Sequence, residues 1–65
     1  MDVGRRIREV REDLGMPVAV LARRIGVAPN TVARLERNET EPHMSTLRKL
    51  ASALDVKPAD LVKGR

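Results

Sequence analysis

Cysteine, phenylalanine, tyrosine and tryptophan are all absent from this chain, and histidine occurs once. Without cysteine there is no disulfide and no thiolate metal site, which agrees with a reducing compartment such as the cytoplasm. Without aromatic rings the core must be aliphatic. Nor is there a platform on which an unpaired base could stack, which argues against recognition of single strands or RNA loops. No apolar run approaches the roughly 18 residues that span a bilayer, and no signal-peptide pattern opens the chain, so neither a membrane span nor a secretory leader is expected. The lone His43 has no second imidazole and no thiol, and Glu41 nearby is poor support, so a solvated loop histidine is the simpler account and no metal is expected. Ser45 has no base at a nucleophile's spacing and reads instead as a helix cap. Met1, Met16 and Met44 read as a start residue and gap-fillers rather than a ligand set. A glycine-rich phosphate loop is also missing, so neither an enzyme nor a cofactor is expected.

What is present is small and basic. At 65 residues the chain is near the lower limit for a domain that folds without a metal or disulfide. It has no internal repeat, low-complexity tract or linker, which predicts one domain over residues 1–65. Thirteen Lys and Arg against nine Asp and Glu leave +4. A basic balance suits a polyanionic partner, though many small domains share it.

Apolar periodicity divides the chain into five helical segments. Val3, Ile7, Val10 and Leu14 recur four, three and four apart, one face of an amphipathic helix that Asp2 can cap and Gly15 can end. A second helix runs from about Pro17 to Ile25 with Val18, Leu21, Ala22 and Ile25 inward, and a third from about Pro29 to Arg37. Asn38 is suited to a left-handed turn after the third. The ETEPH segment over residues 39–43 has turn composition, and Ser45 is expected to cap a fourth helix with Leu47, Leu50, Ala51 and Leu54 inward. Pro58 opens a last helical turn, Ala59 to Val62, with Leu61 buried and Gly64 as its end.

Within this frame, residues 18–37 (VAVLARRIGVAPNTVARLER) read as two helices joined by a tight turn. Ala22 is small enough for a close helix crossing, and Gly26 can take the positive φ of a sharp turn. Val32 and Leu35, three apart, face inward. The outward stripe is then Asn30, Arg34 and Arg37, with Thr31 beside it: residue types that read base edges and hold phosphates. Arg11 borders the apolar stripe of the first helix and needs a partner there. Glu36, four after Val32 on the inward flank of the third helix, is the best candidate.

Taken together, IREVRED, LARRIGVAPNTVARLER, the following EP and LRKLASALDVKPADLV resemble the Cro/repressor-type helix-turn-helix domains of the Xre family, from about Val3 to Val62. The resemblance implies an all-α fold, a compact five-helix bundle of the lambda-repressor-like kind, with the third helix in the DNA major groove. It implies base contacts from Pro29, Asn30, Thr31 and Arg34. Asn30 can pair bidentately with adenine and Arg34 with guanine, while Pro29, lacking a donor, can offer only an apolar contact. The family's ion pair between first and third helices falls on Arg11 and Glu36. Two features depart from the family pattern. Pro17 and Val18 stand where a capping Ser or Thr and a phosphate-gripping Gln are common, leaving backbone N–H groups around Val18 for that contact. Glu39 and Glu41 stand where phage repressors carry basic residues, leaving Arg37, Asn38, Thr40 and His43 as phosphate candidates.

The expected activity is sequence-specific binding of double-stranded DNA, in a transcriptional repressor acting as a homodimer on a palindromic operator. Val56, Val62 and the chain end are the expected interface. The alternative is another use of the same fold: an antitoxin that also covers a toxin, the N-terminal module of a longer chain with a C-terminal domain, or a protein-interaction module that has lost DNA binding.

Overall fold

The structure, a computed structural model, describes residues 2–62. Helix α1 (Val3–Asp13) starts where the Asp2 carboxylate accepts the Arg5 backbone N–H at 3.0 Å, which satisfies one of the donors a helix start leaves unpaired. Ile7 and Val10 bury its inner face. Leu14, expected to complete that face, is 53% exposed. It lies past the last helical residue, and the chain turns away at Gly15, where φ is +65°. Met16 packs against the core in its stead.

Helix α2 (Val18–Ile25) begins one residue after Pro17, which is its N-cap rather than its first helical residue. Gly26, at φ +77°, closes it, and α3 (Pro29–Glu36) opens on a proline whose missing N–H would have had no partner there. Helix α4 (Met44–Leu54) corrects the expected cap. Its N-cap is His43, and the first helical bond runs from the Leu47 N–H to the His43 carbonyl at 2.8 Å, so Ser45 is already inside the helix. Helix α5 (Pro58–Val62) is held at its start by reciprocal bonds, Lys57 N–H to the Asp60 carboxylate at 3.2 Å and Asp60 N–H to the Lys57 carbonyl at 2.9 Å. The expected end at Gly64 lies outside the described residues.

Each of the first four helices is followed by one left-handed residue: Gly15, Gly26, Asn38 and Asp55. Glycine takes this conformation without a Cβ penalty, and Asn and Asp tolerate it best among the rest. Four sharp reversals let five short helices surround a single core of Ile7, Val10, Leu21, Ala22, Ile25, Val32, Leu35, Leu47, Leu50, Ala51, Leu54 and Leu61. Every one is aliphatic, and no polar side chain among the described residues is fully buried. Ala22 is wholly buried in that core.

Candidate nucleic-acid interface

Helix α3 is fixed from its inner side. Val32 and Leu35 are buried at 0% and 4% exposure, and between them and the outer face lies Glu36, whose side chain is only 7% exposed. Its two carboxylate oxygens accept the Arg11 Nε–H at 2.6 Å and an Arg11 Nη2–H at 3.0 Å. The third arm of that guanidinium donates to the Met16 carbonyl at 2.8 Å. One cation therefore joins α1, the turn after it and α3, in the planar bidentate geometry that arginine favours. The hydrogen bonds from the Glu36 carboxylate raise the Arg11 pKa above its ordinary value, against the opposing effect of burial.

With the inner face pinned, Pro29, Asn30, Thr31 and Arg34 are all exposed on the opposite side. The N-cap of α3 is Ala28, which has no side-chain acceptor, and Thr31 N–H bonds the Ala28 carbonyl at 3.0 Å. Pro29 has no N–H and the Thr31 N–H is so engaged, which leaves the Asn30 amide as the open backbone donor at the start of the helix, beside the exposed Asn30 and Thr31 side chains. At the other end Arg34 and Arg37, with side chains 51% and 56% exposed, converge on Glu39.

The predicted phosphate contacts occupy varied settings. Val18 is the first residue of α2, whose Pro17 cap offers no side-chain acceptor. Val20 and Leu21 N–H groups both bond the Pro17 carbonyl, so the amides of Val18 and Ala19 are the outward donors of that turn. His43 is exposed at the start of α4, again with no side-chain cap bond. Thr40 lines a half-open cavity of about 220 Å³ with Val3, Glu41, Pro42, Leu47 and Val62. Arg37 donates to Glu39 at 2.7 Å, which raises the arginine pKa and lowers that of the carboxylate.

Asn38 is committed elsewhere. Its amide oxygen accepts the Gly4 N–H at 3.0 Å, its amide nitrogen donates to Asp2, and its own N–H bonds the Leu35 carbonyl at 3.1 Å. Only the second hydrogen of the amide group is left for a phosphate. The same contact shows what sequence reasoning missed. Gly4 is buried, and a Cβ there would collide with the carbonyl oxygens of Leu35 and Glu36. The start of α1 therefore lies against the end of α3, and no periodicity reveals that. Arg37 and Arg34 meeting on Glu39 was likewise invisible in a spacing argument concerned with helix faces.

Among the described residues no group of three or more His, Cys, Asp or Glu could hold a metal ion, and no helix is long and apolar enough to cross a membrane.

Comparison with known proteins gives one family. The helix-turn-helix family profile matches residues 7–61. The chain is 39% identical over 62 residues to Repressor protein C2 of Salmonella phage P22, covering 95% of this chain and 29% of that protein. It is 36% identical over 55 residues to the HTH-type transcriptional regulator SinR of Bacillus subtilis, covering 83% of this chain and 50% of that protein. It thus spans half or less of the length of these two relatives. Among solved structures, the DNA-binding domain of the P22 C2 repressor in solution superposes with a TM-score of 0.94 at 38% identity, covering 98% of this chain and 84% of that one. The P22 c2 repressor protein in complex with synthetic operator 9T superposes with a TM-score of 0.92 at 37% identity, covering all of this chain and 98% of that one.

Proposed function

Because this chain belongs to the Xre-type helix-turn-helix family, we propose that it is the sequence-reading domain of a transcriptional repressor that binds double-stranded DNA through α3. The observation that carries the reading is the two-sidedness of that helix: Val32, Leu35 and Glu36 anchored within, and Asn30, Thr31 and Arg34 exposed together without. Such a helix can enter the major groove, where Asn30 addresses adenine and Arg34 guanine, with Pro29 and Thr31 at the edge of the contact. Phosphates are held by the amides around Val18 and by Arg37, Thr40 and His43, with a smaller part for Asn38. These contacts set register and carry most of the salt dependence.

Residues 1–65 act as one domain. Two copies bind the half-sites of a palindrome about one helical turn apart. Occupancy of a promoter then excludes the transcription machinery, in the cytoplasm where that DNA lies. This fits relatives described as a repressor and a transcriptional regulator, one of them solved in complex with synthetic operator.

Selection of bound sequences from a random duplex library tests the reading. A recovered palindromic consensus, with affinity that falls as salt rises by about 0.9 log–log units per phosphate neutralised, is the expected result. No detectable binding to any duplex at low salt would overturn it and favour use of the fold as a protein-interaction module or antitoxin.

A further inference from the structure

Arg34 and Arg37, at the end of α3, share one carboxylate. Arg37 Nε–H donates to a Glu39 oxygen at 2.7 Å, and Arg34 Nε lies 3.7 Å from the other. The backbone sets this meeting. Asn38 takes the left-handed conformation at φ 60°, and the Glu39 N–H returns to the Arg34 carbonyl at 3.0 Å, the six-to-one bond of a helix-ending turn. The turn brings Glu39 back beside the last turn of α3, between the two cations that leave that face. The two contacts differ in kind. At 2.7 Å Arg37 is hydrogen-bonded, whereas Arg34 at 3.7 Å is attracted without a bond and is the more easily released.

We propose that Glu39 is a specificity-determining residue, an internal competitor for phosphate that keeps Arg34 and Arg37 from binding DNA indiscriminately. The inference rests on the DNA-reading role given above to α3. Affinity for non-cognate duplex comes almost wholly from cations that displace counterions from phosphates. A cation already paired within the protein contributes less, and the carboxylate repels the phosphate that approaches it. On a cognate site Arg34 exchanges a loose ion contact for a bidentate hydrogen bond to a base edge, which repays its release. Glu39 therefore weakens binding to every sequence, but weakens it most where no base contact is gained. Its presence accounts for an acidic residue on a surface otherwise set up to meet a polyanion.

The test uses the whole chain, an operator selected from a random duplex library and a random-sequence duplex of equal length. Glu39→Gln keeps the side chain's shape and removes its charge. Its affinity for the random duplex is expected to rise about three- to tenfold at low salt, with a steeper salt slope and a smaller gain on the operator. Glu41→Gln makes the same change in net charge two residues away, where no contact with either arginine occurs. It should leave the ratio of operator to random affinity near that of the unmodified chain. Equal gains on both duplexes for Glu39→Gln, an unchanged affinity, or the same ratio shift from Glu41→Gln would each overturn the inference while leaving DNA reading by α3 intact. A parent chain that binds no duplex would overturn the DNA reading first, and this inference with it.

Discussion

Arg34 and Arg11 are both arginines in short helices, yet their surroundings give them opposite duties. Arg34 is half exposed in the last turn of α3, held only loosely by Glu39, and is available to a ligand. Arg34→Ala should cost about 1–3 kcal/mol on the selected operator and relax preference at one base position. Repeating the library selection with the variant checks this, and a uniform loss over all sequences would reduce Arg34 to a phosphate contact. Arg11 is enclosed by Glu36 and the Met16 carbonyl, so its removal strands a carboxylate that is 7% exposed. Arg11→Ala should lower stability by about 2–4 kcal/mol, a fall in Tm on the order of 10–30 °C for a domain of this size. Thermal denaturation followed by circular dichroism reads it, and an unchanged Tm would remove the pair from the stability of the fold.

Asp2 gives a pH dependence at the same scale. Its carboxylate accepts from the Asn38 side chain and from the Arg5 N–H, and these bonds hold its pKa below the ordinary carboxylate value, the Asn38 bond most. A group whose folded pKa is depressed contributes stability that is fully present above its unfolded pKa of about 3.9 and lost as pH falls through the folded value. The Tm difference between the parent chain and Asp2→Ala should therefore be constant near neutrality and shrink below about pH 4. A difference that persists to pH 2 would mean that the protonated carboxyl serves equally well.

At the scale of helices, Gly4 decides how α1 meets α3. Alanine in place of glycine within a helix is ordinarily favourable by about 1 kcal/mol. Here the added methyl would strike two backbone oxygens, which cannot step aside as a flexible side chain can. Gly4→Ala should thus reverse the usual sign and cost about 1–3 kcal/mol, read from urea denaturation with an unchanged m-value. This contact also marks the limit of what spacing revealed. The five segments and nearly all inward positions followed from apolar residues three and four apart, because the core selects for that period. Asn38 as a left-handed residue and Arg11 beside Glu36 also followed, the first from chain-reversal chemistry and the second from a charge bordering an apolar stripe. The start of α4 did not, since Ser45 has a cap's chemistry while His43 has only its backbone position. Nor did Leu14, whose register ended with its helix, or Gly4, whose small size matters only against the end of α3, far along the chain. The exposed stripe of α3 could be listed from the sequence, whereas Glu39 depended on a turn that folds back on the stripe it follows.

At the scale of the molecule, size constrains how two copies can share an operator. The Cα envelope measures 24 × 23 × 19 Å. Side chains add roughly 3 Å on each side, so the longest dimension is about 30 Å against the ~34 Å between successive major-groove positions on one face of B-DNA. Two copies so placed stand about 4 Å apart along that axis, near enough for their longer surface side chains to meet. Of the expected interface, Val56 and Val62 are half-buried against their own core, which leaves little of their apolar surface for a partner, and the chain end lies outside the described residues. Contacts confined to such side chains are not expected to reach the roughly 1,200 Å² that stable complexes bury. The 65-residue chain should therefore sediment as a monomer at micromolar concentration and pair only on DNA, where the two half-sites hold the copies at high effective concentration. Inserting about five base pairs between half-sites turns one copy to the opposite face of the duplex, since a full turn takes about 10 base pairs. Cooperativity should vanish while the affinity of each half-site is kept. A dimer detected in free solution at those concentrations, or cooperativity that survives the insertion, would show that the chain carries a larger self-interface than its envelope and half-buried valines allow.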